Sequence, residues 1–200
     1  MTEEAEEDYQ LASGISEDVD VRDKPWVQIR ARLPWLLIGI AGGILSSRII
    51  SMYEVDLRID PTMAFFMPLI AATGGNVGVQ SSAIVVQGLA SGDLQNVRLG
   101  PRLWKESKVA VMNALICGGL IFLVNFLLDQ SQALTYTVSV ALFTVIITAA
   151  FFGTLTPLVM DKLKVDPALA TGPFVTTLND IFGLLTYFTV GHLMYGHFHG

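Results

Sequence analysis

The sequence predicts an all-α integral membrane protein with five transmembrane helices per chain, on three observations. Of its 200 residues 52% are hydrophobic and only 15% are charged, and the mean hydropathy is +0.55, too apolar for a water-soluble domain of this size. The apolar residues gather into five segments, each reaching the roughly 20 residues that a helix needs to cross a bilayer. The basic residues fall almost entirely into alternate loops, as they do in multi-pass proteins.

The formal charge of -6 is not spread over the chain. Glu3, Glu4, Glu6, Glu7, Asp8, Glu17, Asp18, Asp20 and Asp23 supply half of the 18 acids, so residues 1–24 read as a solvated, disordered acidic tail. They lack the basic start and apolar centre of a cleavable signal, which leaves insertion to the first membrane helix. From Pro25 onward the chain is nearly neutral and has no basic stripe, which excludes nucleic acid as a partner. Cys117 is the only cysteine, so no intrachain disulfide framework is possible.

Residues 25–32 mix Trp26, Val27 and Ile29 with Arg30 and Arg32, suiting a short interfacial helix or a linker. Residues 33–200 form the five-helix membrane domain. Its first segment runs from Leu33 to about Tyr53, with Arg48 near enough to the end to snorkel. The second lies in the charge-free stretch Pro61 to Gly92, the third in Val109 to Leu128, and the fourth in Gln130 to Met160. The fifth, about Pro173 to Tyr195, contains Asp180. No internal repeat aligns the second segment with the fifth, so an inverted-repeat carrier within one chain is unsupported.

Arg22, Lys24, Arg30 and Arg32 precede the first segment, Arg98, Arg102, Lys105 and Lys108 follow the second, and Lys162 and Lys164 follow the fourth. Only Arg48 and Arg58 fall on the other side. The positive-inside rule then makes the amino terminus cytoplasmic and the carboxyl terminus external, in a multi-pass protein of the cell (inner) membrane.

Asp180 is the only Asp, Glu, Lys or Arg between Pro167 and Gly200. On a helix opening at Pro173 it lies roughly 10 Å along, inside the hydrocarbon zone. An ionised carboxylate there costs about 2.5 to 3.5 kcal/mol on insertion scales, so it should face a cavity, a cation or a basic partner. Helical spacing sets Pro173, Thr176, Thr177, Asp180, Gly183, Leu184 and Tyr187 on one side. Hydroxyls and a carboxylate without thiols are hard oxygen ligands, suited to magnesium or calcium rather than zinc or copper.

The second segment is equally unusual, with Gly74, Gly75, Asn76, Gly78, Gln80, Ser81 and Ser82 in mid-membrane. Ala72, Gly75, Asn76, Val79 and Ala83 share one face of small or modest residues. That face permits either close helix packing or a pore wall, and the segment alone does not decide between them. One acid per chain is too little to hold a divalent cation against water. A twofold homodimer supplies two copies of Asp180 around a hydrated Mg2+, which dehydrates reluctantly and touches only one or two carboxylates. Thr176 and backbone carbonyls would then accept hydrogen bonds from its water shell.

Two motifs carry a family resemblance. Thr73-Gly-Gly-Asn-Val-Gly-Val-Gln-Ser-Ser82 with Val85-Val-Gln-Gly-Leu-Ala90, and Asp166-Pro-Ala-Leu-Ala-Thr-Gly-Pro-Phe-Val-Thr-Thr-Leu-Asn-Asp-Ile-Phe-Gly-Leu-Leu184, resemble the membrane domain of the MgtE magnesium channel family. The resemblance implies a homodimer with its pore at the subunit interface, lined by the second and fifth helices of both subunits. It puts the pore aspartate at Asp180, the pore-facing glycine at Gly75 and a backbone position of the pore at Thr176. It departs at Gly172, where some relatives carry asparagine, and at Val79, where a polar residue can stand. Bacterial members also carry an amino-terminal cytoplasmic domain and paired CBS modules, whereas only an acidic stretch of 24 residues precedes the membrane part here.

The function expected is therefore passive conduction of hydrated Mg2+, with Asp180 as metal site and Gly75, Asn76, Val79, Gly172 and Thr176 lining the pore. The alternative is a proton- or sodium-coupled divalent cation exchanger with Asp180 as coupling acid. A third reading is an assembly subunit whose polar faces only pack helices. No nucleophile, base and orienter occur together, so an enzyme is not expected. His192, His197 and His199 invite a metal reading, but their place at the chain end fits an interfacial tail better.

Overall fold

The computed structural model describes residues 10–16, 19–92 and 99–199, and every regular element among these described residues is helical. The long helices are α1 (Pro25–Met52), α3 (Met67–Ala90), α4 (Leu99–Leu127), α5 (Gln132–Lys162) and α6 (Gly172–His199), with the short α2 (Glu54–Ile59) between α1 and α3. Tight 3-10 turns at Pro61–Phe66 and Pro167–Ala170 lead into α3 and α6.

Local chemistry accounts for the boundaries. Pro25 opens α1 and Pro61 opens the turn before α3, positions where the missing N–H costs nothing. Asp60 and Asp166 accept the backbone N–H groups of Thr62 and Ala168, at 3.0 and 2.8 Å, and the Ser131 hydroxyl accepts that of Leu134 at 3.2 Å to cap α5. Asp129 and Lys164 adopt left-handed conformations just past the ends of α4 and α5, where the chain must leave the helical path. Residues 25–32 form the first turns of α1 without a break.

The central element is α5, which packs against α3, α4 and α6, while α3 and α6 also pack on each other. Its Leu134, Val138, Val145 and Ile146 join Met63, Ile70, Tyr187 and Phe188 in the buried core. By contrast α1 buries only Ala31 and Gly42 and rests mainly on α6. Leu36, Leu37, Ile40 and Ile44 of α1 and Leu115, Ile116, Leu120 and Leu123 of α4 are exposed. So large an apolar exterior, on helices that satisfy their own backbone, fits lipid as solvent. Thr144, Thr148, Thr156 and Thr189 donate their hydroxyls to carbonyls one turn back, which removes polar groups from that exterior.

Four stretches among the described residues are long and apolar enough to cross a membrane: Pro25–Met52, Pro61–Ala90, Leu103–Leu127 and Gln132–Lys162. These match the first four expected segments. With 28 residues α6 has the length, about 42 Å at 1.5 Å per residue, but its threonines, Asn179 and Asp180 leave it outside that group.

Candidate cation site

The site is assembled where α3 and α6 touch. A Cβ built on Gly75 would lie 3.2 Å from Thr176 Cγ2 and 3.9 Å from Asp180 Oδ1, so the glycine of one sequence motif faces the carboxylate of the other. Thr176 and Asp180 are half-buried and Gly75 is buried. Among the described residues Asp180 has no hydrogen-bond or ion-pair partner within the chain, and Arg48 is exposed on α1. A basic partner was the unremarkable explanation for the acid, and the described residues do not provide one.

Thr176 donates its hydroxyl to the Gly172 carbonyl at 2.8 Å. That bond uses its only proton and leaves the oxygen free to accept. A hydrated cation turns water hydrogens outward, so acceptors are what it requires. The carboxylate and the threonine oxygen provide that chemistry one turn apart.

Beside this patch, Ala72, Asn76 and Ala83 are exposed and Val79 is half-buried. The face expected to be either pore wall or packing surface thus lies open on the single chain. Packing is carried instead by the neighbouring glycines. Gly74 faces Val145 of α5, with a built Cβ 3.0 Å from Cγ1, and Gly78 faces Val175 and Asn179 of α6.

Gly172 has a more specific task than the sequence suggested. Its φ of +52° favours glycine, and a Cβ there would overlap the Ala12 carbonyl and lie 3.2 Å from its carbon. Residues 10–16 fold back on this end of α6: Gly14 abuts Pro173, and Ser16 N–H donates to the Ala31 carbonyl at 2.9 Å. Residues 1–9 and 17–18 lie outside the described residues.

The polar stripe expected on α6 divides three ways. Thr176 and Asp180 face Gly75, Thr177 is wedged on Gly42 of α1, and Leu184 and Tyr187 are buried in the core. Tyr187 donates to the Met63 carbonyl at 2.8 Å. The single stripe is therefore corrected: a 28-residue helix surrounded by α1, α3 and α5 has contacts on nearly every side.

Two further groups are in place. Glu106 of α4 accepts the Ser81 hydroxyl at 2.6 Å, beside a cavity of about 190 Å³ that Gln80, Lys105 and Asn113 also line. Its place in the charged run from Arg98 to Lys108 set this acid outside the third expected segment, although it belongs to a candidate span. At the other end His192 Nδ1 lies 3.0 Å from Asp56, and Tyr195 donates to Asp60 at 2.5 Å, tying α6 to the segment between α1 and α3. No cluster of three or more His, Cys, Asp or Glu suited to a metal occurs among the described residues, and the side chains of His197 and His199 lie outside them.

Comparison with known proteins agrees with the two motifs. Residues 67–190 match the family model MgtE, described as a divalent cation transporter. The chain is similar to the magnesium transporter MgtE of Bacillus subtilis, 36% identical over 187 residues that cover 94% of this chain and 42% of the relative. The Enterococcus faecalis transporter of the same name is 32% identical, with 99% and 44% covered, and that of Thermus thermophilus 34% identical, with 82% and 36% covered. The chain thus spans less than half the length of these relatives. With both motifs inside the matched region and the helices around Gly75 and Asp180 in contact, the chain belongs to the MgtE family of divalent cation transporters.

Proposed function

We propose that the chain forms the magnesium-conducting membrane part of a transporter, and that two copies meet around a pore in which Asp180 of each holds a hydrated Mg2+. The observation that carries this reading is the unpartnered, half-buried Asp180 beside Gly75, on a face left open by the single chain. An intramembrane carboxylate without a counter-charge is costly unless a cation visits it. The three relatives are named as magnesium transporters, and the octahedral water shell of Mg2+ matches an acceptor-lined, small-residue wall.

On this reading α6 is the fifth crossing, the amino terminus is cytoplasmic and the carboxyl terminus external. Residues 33–200 are the pore domain, preceded by an acidic tail at 1–24 and an interfacial stretch at 25–32. Gly75, Asn76, Val79, Gly172 and Thr176 form the wall, with the two subunits and bilayer lipid as its surroundings. Magnesium is the cargo as well as the bound ion. The deciding measurement is Mg2+ entry into vesicles containing the purified chain, under a magnesium gradient with a set membrane potential. Entry should be fast in the parent protein and reduced to background by Asp180→Ala, and unchanged entry in that variant defeats the assignment.

A further inference from the structure

Asn179 precedes the candidate cation acid and is only 2% exposed, yet neither its Nδ2 nor its Oδ1 makes a hydrogen bond. A buried amide without partners is destabilising, more so than an apolar side chain of similar size. Its surroundings give a reason for its presence. A Cβ built on Gly78 would overlap Asn179 Nδ2, lie 2.9 Å from Asn179 Cγ and lie 2.8 Å from Val175 Cγ1. A Cβ on Gly153 would in turn overlap the Gly78 carbonyl oxygen and lie 3.0 Å from its carbonyl carbon and Cα. Gly78 is therefore closely approached from two helices, by the α5 backbone at Gly153 and by the flat amide of Asn179 on α6.

We propose that Asn179 is a positioning residue, whose amide wedged against Gly78 fixes the rotation and height of α6 on α3 and thereby holds Asp180 opposite Gly75. Consecutive residues on a helix are separated by a fixed angle, so locking Asn179 into one notch locks the azimuth of Asp180. Gly75 and Gly78 are three apart on α3, so the notch and the cation-facing position are neighbours on that helix. A planar amide is thin enough for the notch left by the missing side chain of Gly78, where the tetrahedral branch of leucine is not. A misplacement of 1 Å can cost about a hundredfold in a site that depends on geometry, which makes one unpaired amide tolerable there.

The inference rests on Asp180 being the cation site, and its test distinguishes the two ideas. Asn179→Ala, Gly78→Ala and the double variant are made in the full chain, reconstituted in lipid vesicles, and read in two ways. Helix register is read without transport, from the rate of disulfide formation between Gly75→Cys and Thr176→Cys in a Cys117→Ala background. Function is read, without those added cysteines, from the Mg2+ concentration giving half-maximal entry and from the maximal rate.

Each single variant should slow cross-linking and raise the half-saturating concentration about tenfold, with a smaller change in maximal rate. The double variant should return to within about twofold of the parent, because the methyl added at position 78 occupies space vacated by the amide. Single variants that fold, cross-link and saturate like the parent overturn the proposal, as does a double variant whose defects are the sum of the two. If a single variant fails to fold, the double variant decides alone. If the parent carries no Mg2+, the pore reading fails and the cross-linking rates still decide whether Asn179 sets the register.

Discussion

The peptide backbone of Gly153 on α5 rests directly on that of Gly78 on α3. In lipid the hydrophobic effect contributes little to helix association, so close backbone approach and dispersion must supply it. Gly153→Ala should therefore destabilise the bundle by about 1–3 kcal/mol, as overpacking does elsewhere. Unfolding in detergent with and without the substitution would measure the loss. Gly119, whose built Cβ meets nothing within 4 Å, provides the control: Gly119→Ala should be neutral or slightly stabilising.

Replacing Asp180 separates charge from shape. Asp180→Asn keeps the size and should lower Mg2+ entry at least about a hundredfold if the carboxylate neutralises the ion. Asp180→Glu keeps the charge but advances it by one methylene, and should retain partial entry with weaker discrimination between Mg2+ and Ca2+. Entry equal to the parent in Asp180→Asn would show that charge at this position is irrelevant. Simultaneous recording of vesicle pH and sodium should show no counterflow in proportion to Mg2+, and a fixed stoichiometry would instead establish a coupled exchanger.

At Gly172 both the positive φ and the Ala12 carbonyl oppose a side chain. Gly172→Ala should push residues 10–16 away from the end of α6, at a cost of about 1 kcal/mol or more. The Ser16 amide, bonded to Ala31, should then exchange its hydrogen faster while amides in the middle of α5 remain protected. Unchanged exchange at Ser16 would mean that the segment is held by other contacts.

Asp60 accepts from Tyr195 Oη at 2.5 Å and from the Thr62 N–H at 3.0 Å, so its removal orphans groups on two elements. Asp60→Ala should cost about 1–3 kcal/mol, and Tyr195→Phe, which removes one donor and leaves Asp60 capped by Thr62, should cost less. Their unfolding midpoints in detergent rank the two, and equal midpoints would remove this link from the account of the α6 end.

The basic asymmetry also predicts an orientation that labelling can check. With Cys117 replaced by alanine, a membrane-impermeant thiol reagent added outside intact cells should label Arg58→Cys and not Lys164→Cys. The reverse pattern would invert the topology.

Much of this arrangement was legible in the sequence, for identifiable reasons. Charge-free runs long enough to span locate three helices, and a fourth carries its one charge, Arg48, near its end, because a charge in hydrocarbon is costly whatever the fold. Asp180 stood out on the same ground. Glu106 did not, because it lies among Lys105, Lys108 and Ser107 and resembles a loop residue until Ser81 is seen to donate to it. Asn179 was overlooked because rotation about α6 decides whether a polar residue faces an open surface or a glycine notch, and hydropathy has no angle in it. The Gly-Gly-Asn-Val-Gly motif divides similarly: Gly74 and Gly78 serve packing and Gly75 faces Asp180, a division that depends on how α5 and α6 sit against α3. Gly172 needed its φ to be known before the need for glycine could be understood.

The two most contrasting helices also meet the bilayer on different terms. At 31 residues α5 is about 46 Å long, well beyond a hydrocarbon thickness of about 30 Å, yet it is enclosed by its neighbours and little of the mismatch reaches lipid. With 28 residues, exposed along almost its whole length, α1 meets lipid directly, and it takes up any excess of length by tilting or by keeping residues 25–32 in the interface. A change in its tilt would bear on Thr177 through Gly42, three residues from Asp180, which gives membrane thickness a mechanical route to the helix that carries the acid.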